Sequence, residues 1–312
     1  MNEKNFKSIA FNYLNYTKLK KKINTYKTNE RRFLIYILEY FKNYNVEEIT
    51  CNDYLEWQMY INKYNFSYNY KSNIHYLFSD FLEYCINFYN LDFNVAKKVG
   101  NFKNNEIAKI GNIWTITDFN NFIKYVDRFE YNVLFRLLFF TGLRKGEAMA
   151  LTFNEIDFEN RRIYIYKNLT KYKDSNNNYI INTPKTKKSN RYIMIDDCLY
   201  NELVKLKKYY LNKYKYFNND MFVFGGEKVI SFTSLERNKN KYCKISGVKQ
   251  IKIHEFRHSH ACLLFNNNVP INEISLRLGH SKISMTSDIY LKYLPNNEKR
   301  VINTLNSIVY NQ

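Results

Sequence analysis

Residues 162–195 hold the chain's one stretch of strand-like alternation. RIYIYK (162–167) alternates apolar and polar residues, NYIINT (178–183) continues the pattern, and RYIMI (191–195) closes it. Asn176–Asn178 make the first turn, and PKTKKSN (184–190) makes the second. On both sides of this stretch the apolar residues recur at helical spacing. The fold class expected is therefore mainly α with a small antiparallel β-sheet, the sheet lying inside the second part of the chain.

The helical pattern divides in two. In ERRFLIYILEYF, Phe33, Leu34, Ile37, Leu38 and Phe41 share a helix face, and in NIHYLFSDFLEYC the set Ile74, Leu77, Phe78, Phe81, Leu82 and Cys85 does so again. Thr50 is placed to cap the helix NDYLEWQMYINK. A polar stretch with Gly100 and Gly111 then interrupts the periodicity. The expected organisation is a helical domain over 1–95, a linker over 96–112 and a second, α+β domain over 113–312. In that second domain Thr117 is read as a helix cap. NVLFRLLFF ends at Gly142, Pro270 opens a helix that Gly279 stops, and SMTSDIYLKYL makes a later one.

Charge narrows the function. The 312 residues carry a net charge of +19, which points to a polyanionic partner, nucleic acid before membrane. Heavy use of Asn, Lys, Tyr, Phe and Ile is also what an AT-rich genome would impose, so distribution says more than the total. Residues 1–100 carry 14 Lys/Arg against 10 Asp/Glu, and the remainder carries 34 against 19. The phosphate backbone is thus expected to lie mostly along the second domain. The KLKKK run with Lys20, Lys21 and Lys22, and the hairpin residues Lys187, Lys188 and Arg191, are the expected backbone contacts. Five scattered cysteines with no C-x-x-C pair argue against a disulfide framework and a cysteine zinc site. No run is long and apolar enough for a membrane span, and no signal layout opens the chain, so a cytoplasmic protein is expected.

HEFRHSHA (254–261) reads two ways. As H-E-x-x-H it sets His254 and His258 one helical turn apart, a zinc-peptidase pattern, with Glu273 as a remote third ligand. Arg257 on the face of His254 disfavours a cation there. As H-x-x-R the same helix presents a histidine and an arginine suited to a phosphate. The second reading has companions. TGLRKGEAMAL places Arg144 just past a helix terminus, TPKTKKSNR puts Lys185 at a hairpin tip, LGHSKIS puts His280 after a glycine stop, and MTSDIY delivers Tyr290 ten residues later.

In this order the motifs resemble the tyrosine recombinases, the phage and transposon integrases and Xer-type enzymes. The resemblance covers nearly the whole chain and is strongest over 115–294. It implies a helical core-site DNA-binding domain followed by an α+β catalytic domain, with Arg144, Lys185, His254, Arg257, His280 and Tyr290 as catalytic residues and Glu147 supporting them. It also implies a site-specific recombinase working on double-stranded recombination sites through a 3′-phosphotyrosine, without metal, ATP or other cofactor. Its partners would be a tetramer of the chain on DNA and accessory DNA-bending proteins, in a bacterial nucleoid. The resemblance sets the start of the sequence at the core-binding domain, so a two-domain enzyme without an arm-binding domain is expected, as in the simpler Xer-like members. Past Tyr290, Val301, Leu305 and Ile308 form one helical stripe, a tail that would pack on its own domain or on a neighbouring protomer. A type IB topoisomerase shares this chemistry and is the alternative, with the zinc peptidase as the more distant one.

The chemistry explains the residue types. Two guanidiniums can clamp the non-bridging oxygens of a phosphodiester and bind best as charge builds in the transition state. A tyrosine hydroxyl, with an ordinary pKa near 10, sheds its proton more readily amid positive charge. The phosphotyrosine ester conserves the bond energy for rejoining.

Overall fold

The computed structural model describes residues 5–104, 112–182 and 190–293, with the side chains of 290–293 outside the description. The chain divides into two compact units, Met1–Ala108 and Lys109–Gln312.

The first unit is helical: α1 (Phe6–Lys20), α2 (Ile23–Phe33), a π-helical turn (Leu34–Leu38), α3 (Glu39–Phe41), α4 (Cys51–Asn62), α5 (Tyr68–Tyr89) and α6 (Val95–Val99). Short polar residues start α1, α4, α5 and α6 by accepting their free N–H groups. Thr50 takes the Asp53 N–H at 3.2 Å while Asp53 takes the Thr50 N–H at 2.8 Å, and Asn94 caps α6. The expected apolar stripes face inward, Leu34 excepted, which is exposed. Phe6, Phe33, Phe41, Trp57, Phe78 and Phe81 interlock as stacked, tilted and edge-on rings. Val95, Ala96 and Phe102 are buried in that same core. Residues 95–102 therefore belong to the first unit, and the expected start of a linker at 96 is corrected. Their apolar side chains supply what the polar composition of the stretch concealed.

The second unit opens with α7 (Ile116–Ile123), α8 (Phe129–Thr141) and α9 (Lys145–Ala150). Thr115, not Thr117, caps α7, because only a threonine three residues before Asp118 can close the reciprocal pair of hydrogen bonds at 3.1 and 2.8 Å. Then come β1 (Ile156–Asp157), β2 (Arg162–Ile165), β3 (Asn168–Lys173), β4 (Tyr179–Asn182) and β5 (Arg191–Met194). They form two sheets where the sequence suggests one. β1, β2 and β5 lie antiparallel in that order, and β3 pairs with β4 as a separate hairpin. The strand β3 escapes the alternation pattern because Thr170 turns its hydroxyl onto the Tyr172 backbone, and the register shifts between Leu169 and Lys173.

Helices α10 (Asp197–Lys213), α11 (Phe232–Ser246), α12 (Ile253–Asn266), α13 (Ile271–Leu278) and α14 (Ser284–Tyr293) complete the unit. Its core is built on α8, with Phe135, Phe139 and Trp114 packed against Phe256 of α12. Among the described residues, no helix is long and apolar enough to cross a membrane.

Candidate active site

Two helix ends carry the site. The first is the end of α8. Gly142 adopts a left-handed conformation at φ 65°, and a Cβ there would stand 2.6 Å from Leu278 Cδ2 and 2.7 Å from His260 Cδ2. Only glycine meets both demands. The chain can therefore turn at once into α9, with Arg144 as the capping residue just before it. The Arg144 backbone N–H donates to Glu147 Oε2 at 3.0 Å and its Nη1 to Glu147 Oε1 at 2.8 Å.

The second is the end of α13, which leaves backbone carbonyls without helical partners. Three successive carbonyls there each accept a guanidinium. Arg277 O takes Arg191 Nε at 2.8 Å, Leu278 O takes Arg257 Nη2 at 2.7 Å, and Gly279 O takes Arg144 Nη2 at 3.4 Å. The partial negative charge of a helix C-terminus favours such cations. Arg257, 1% exposed, also donates from Nη1 to Gly142 O at 2.8 Å, so it ties the ends of α8 and α13 together. Burial and then the Arg144 charge push its pKa down, to about 9, and it stays a cation at neutral pH.

Glu147 balances this charge. Burial pushes its carboxyl up, but the Arg191 hydrogen bonds and the charges of Arg191 and Arg144 outweigh that and hold it below its ordinary value. Arg191 reaches it with both terminal nitrogens, Nη2 to Oε2 at 3.0 Å and Nη1 to Oε1 at 3.3 Å. The expectation of Arg191 as a contact to the DNA backbone is corrected on this ground. Its side chain is 8% exposed and spent on Glu147 and on α13. The alternation of RYIMI carried that signal, since positions 191, 193 and 195 share the buried face of the strand.

The histidines differ in role. His280 follows Gly279 and is bonded through Nδ1 to Thr286 Oγ1 at 2.8 Å. Burial, then Arg257 and Arg144, push its pKa down to about 3, which leaves it neutral. His254 is exposed at the start of α12, and its pKa is lowered by its crowded surroundings and by Arg257 and Arg144. Because the ring is open to solvent, the two guanidiniums are the firmer cause. His260 is buried at 2% exposure and accepts from Arg277 Nε at 3.2 Å. It braces the core beneath Gly142.

Glu255, the acid of the H-E-x-x-H reading, caps its own helix by accepting the Lys252 N–H at 2.5 Å. Among the described residues, no three His, Cys, Asp or Glu side chains gather as a metal site.

Tyr290 lies within α14, and its side chain is outside the described residues, as are Lys185, Lys187, Lys188 and the C-terminal stripe beyond residue 293. In the first unit, Lys20 donates to Tyr16 Oη at 2.7 Å, Lys21 pairs with Asp80 at 2.6 Å, and Lys22 is exposed at the start of α2. The residues that sequence reasoning passed over are Arg277, His260 and Thr286.

Comparison with known proteins gives the family. The phage integrase family model matches residues 115–297, and the chain belongs to that family. The ICEBs1 integrase of Bacillus subtilis (strain 168) is 26% identical over 97% of this chain and 83% of its own length. A XerC-like tyrosine recombinase of Caldanaerobacter subterraneus subsp. tengcongensis is 31% identical over 56% of this chain and 49% of its own length. Of that second relative the match therefore takes in about half. Among solved structures, the Tn1549 transposon integrase in complex with transposon right end DNA superposes with a TM-score of 0.74 at 21% identity, over 91% of this chain and 94% of that one. A lambda integrase dimer bound to a core site gives 0.67 at 15% identity, over 91% and 76%. The mainly α fold with small antiparallel sheets is thus that of the tyrosine recombinases. The chain is an enzyme of site-specific recombination that breaks and rejoins DNA strands through a tyrosine. Neither the topoisomerase nor the peptidase alternative gains support.

Proposed function

We propose that the end of α13 is a preorganised seat for the scissile phosphate, filled by Arg144, Arg257 and His280, and that Tyr290 is the nucleophile. What supports this is the run of three carbonyls, 277–279, each holding one guanidinium, with His280 the next residue. Arginines so held need no reorganisation as charge builds on the phosphate. The Tyr290 oxygen attacks phosphorus as its proton passes to His254. The bond to the 5′-oxygen breaks, and that oxygen takes a proton from Lys185. The product is a 3′-phosphotyrosine and a free 5′-hydroxyl, and the reverse steps rejoin the strand. Glu147 and Arg191 hold Arg144 in place.

The partner is duplex DNA, and the chain acts as a multimer on it. A tetramer spanning two sites, a C-terminal stripe that docks on a neighbour, and DNA-bending accessory proteins complete the reading. Lys20 and Lys22 serve the first unit's grip on the phosphate backbone. The biological setting is a mobile element of an AT-rich bacterial genome, with the enzyme on the nucleoid.

The test uses nicked duplexes drawn from the DNA flanking the chain's own gene, which trap any covalent adduct on a denaturing gel. An adduct that persists in EDTA and vanishes in Tyr290→Phe is expected. An adduct retained by Tyr290→Phe, or an activity lost in EDTA, would overturn the reading.

A further inference from the structure

The hydrogen bond between His280 Nδ1 and Thr286 Oγ1 at 2.8 Å has no part in the scheme above. Thr286 lies on α14, one helical turn before position 290, and is 3% exposed. Beside it Ile289, with Ala261 and Cys262 of α12 and Ile274 and Leu278 of α13, forms an apolar cluster separate from the main core. That cluster seats α14 on α12 and α13.

A neutral imidazole carries one N–H, and the nitrogen that carries it decides whether the ring can donate to an anion in the site. His280 is neutral, because burial and the charges of Arg257, Arg144, His258 and Arg191 all oppose a second proton. In a helix, a threonine hydroxyl commonly bonds back to a carbonyl one turn earlier. Here it faces the His280 ring.

We propose that Thr286 is a positioning residue: its hydroxyl donates to Nδ1 and so places the lone N–H of His280 on Nε2, facing the phosphate seat. The link makes two events one. When α14 is seated, the helix that bears Tyr290 is in place and His280 is set as a donor. When α14 leaves, His280 loses the partner that fixes its tautomer. This rests on the recombinase reading for what Nε2 faces, but the tautomer itself can be read without DNA.

The full chain, labelled with ¹⁵N-histidine, is examined by long-range proton–nitrogen NMR between pH 5 and 8, with the His280 signals identified by their loss in His280→Gln. The wild type is expected to show one Nε2–H tautomer with no titration in that range. Thr286→Ser should keep it, and Thr286→Val should give a mixture. An Nδ1–H tautomer in the wild type, or a Thr286→Val spectrum unchanged from it, would overturn the proposal. The wild-type and serine spectra decide the matter even where the valine variant fails to fold. On nicked duplex, Thr286→Val should slow adduct formation about tenfold, the order of one lost hydrogen bond, and should add nothing in a His280→Gln background. Full additivity of the two changes would also contradict it. Retention of the adduct by Tyr290→Phe would remove the recombinase reading and leave the NMR result standing.

Discussion

The two units bury different things. The first closes around rings, and among its described residues the buried polar ones are Thr17, Gln58, Ser72, His75, Ser79 and Asn94, with no formal charge among them at neutral pH. The second buries Glu147, Glu155, Lys239 and Arg257 as well as an apolar core. Two of these charges are local braces: Glu155 pairs with Lys167 at 2.8 Å, and Lys239 donates to the Ile251 carbonyl. Arg257 and Glu147 belong to the cluster at the end of α13. A packed aromatic core stabilises without burying charge. Burying an arginine costs solvation that helix-end carbonyls offset only in part, a cost that the proposed phosphate seat would account for.

The contrast can be broken at either end. Arg257→Met should slow adduct formation by on the order of 10²- to 10³-fold, as loss of a preorganised donor does. An effect below tenfold would make Arg257 a mere brace. Phe78→Ala should cost the first unit about 3–5 kcal/mol, the usual range for a buried phenylalanine. The two tryptophans fall one to each unit, Trp57 and Trp114. Denaturant titration followed by Trp57 fluorescence, in a Trp114→Phe background, reads that loss. A Trp57 transition unmoved by the change would show that Phe78 carries no such share of the core.

Arg191→Met should slow adduct formation by about tenfold, on the order of one or two charge-assisted hydrogen bonds. It should leave the salt dependence of DNA binding unchanged. A phosphate contact would instead lower that slope by about one. The effect of pH is the most gradual. His260 and His280 have pKa values near 3 in the fold, below the ordinary histidine value. Between that ordinary value and the folded one, the unfolded chain binds more protons, so stability is lost as pH falls below about 6.5. Each can contribute up to about 2 kcal/mol of loss by pH 5. Melting of the second unit from pH 7 to pH 5 checks this, and His260→Asn should flatten the slope. An unchanged slope in that variant would mean His260 is not the group responsible.

Much of this was legible before the structure. The helical stripe of α5 points to its buried apolar residues one by one, though not to the buried Ser72, His75 and Ser79, and Gly142 and Gly279 mark the two helix ends that make the site. Arg144, Arg257 and His280 were recognisable from their motifs, and the structure brings them to one helix end. The rest depended on contacts distant in sequence. Arg191 meets Glu147 across 44 residues and Arg277 across 86, so a basic hairpin residue passed for a surface contact. Thr286 looks like any helix-face threonine until α14 is laid against His280. β3 hid because a threonine bonded to its own backbone breaks the alternation.

One measurement goes straight to the guanidinium cluster: adduct formation on a nicked duplex whose scissile phosphate is replaced by an uncharged methylphosphonate. If Arg257 serves to neutralise the phosphate, Arg257→Met should react with that linkage nearly as fast as the wild type does, although it is crippled on ordinary DNA. If the variant stays as crippled on the neutral linkage as on the charged one, the end of α13 is not holding its arginines for the phosphate.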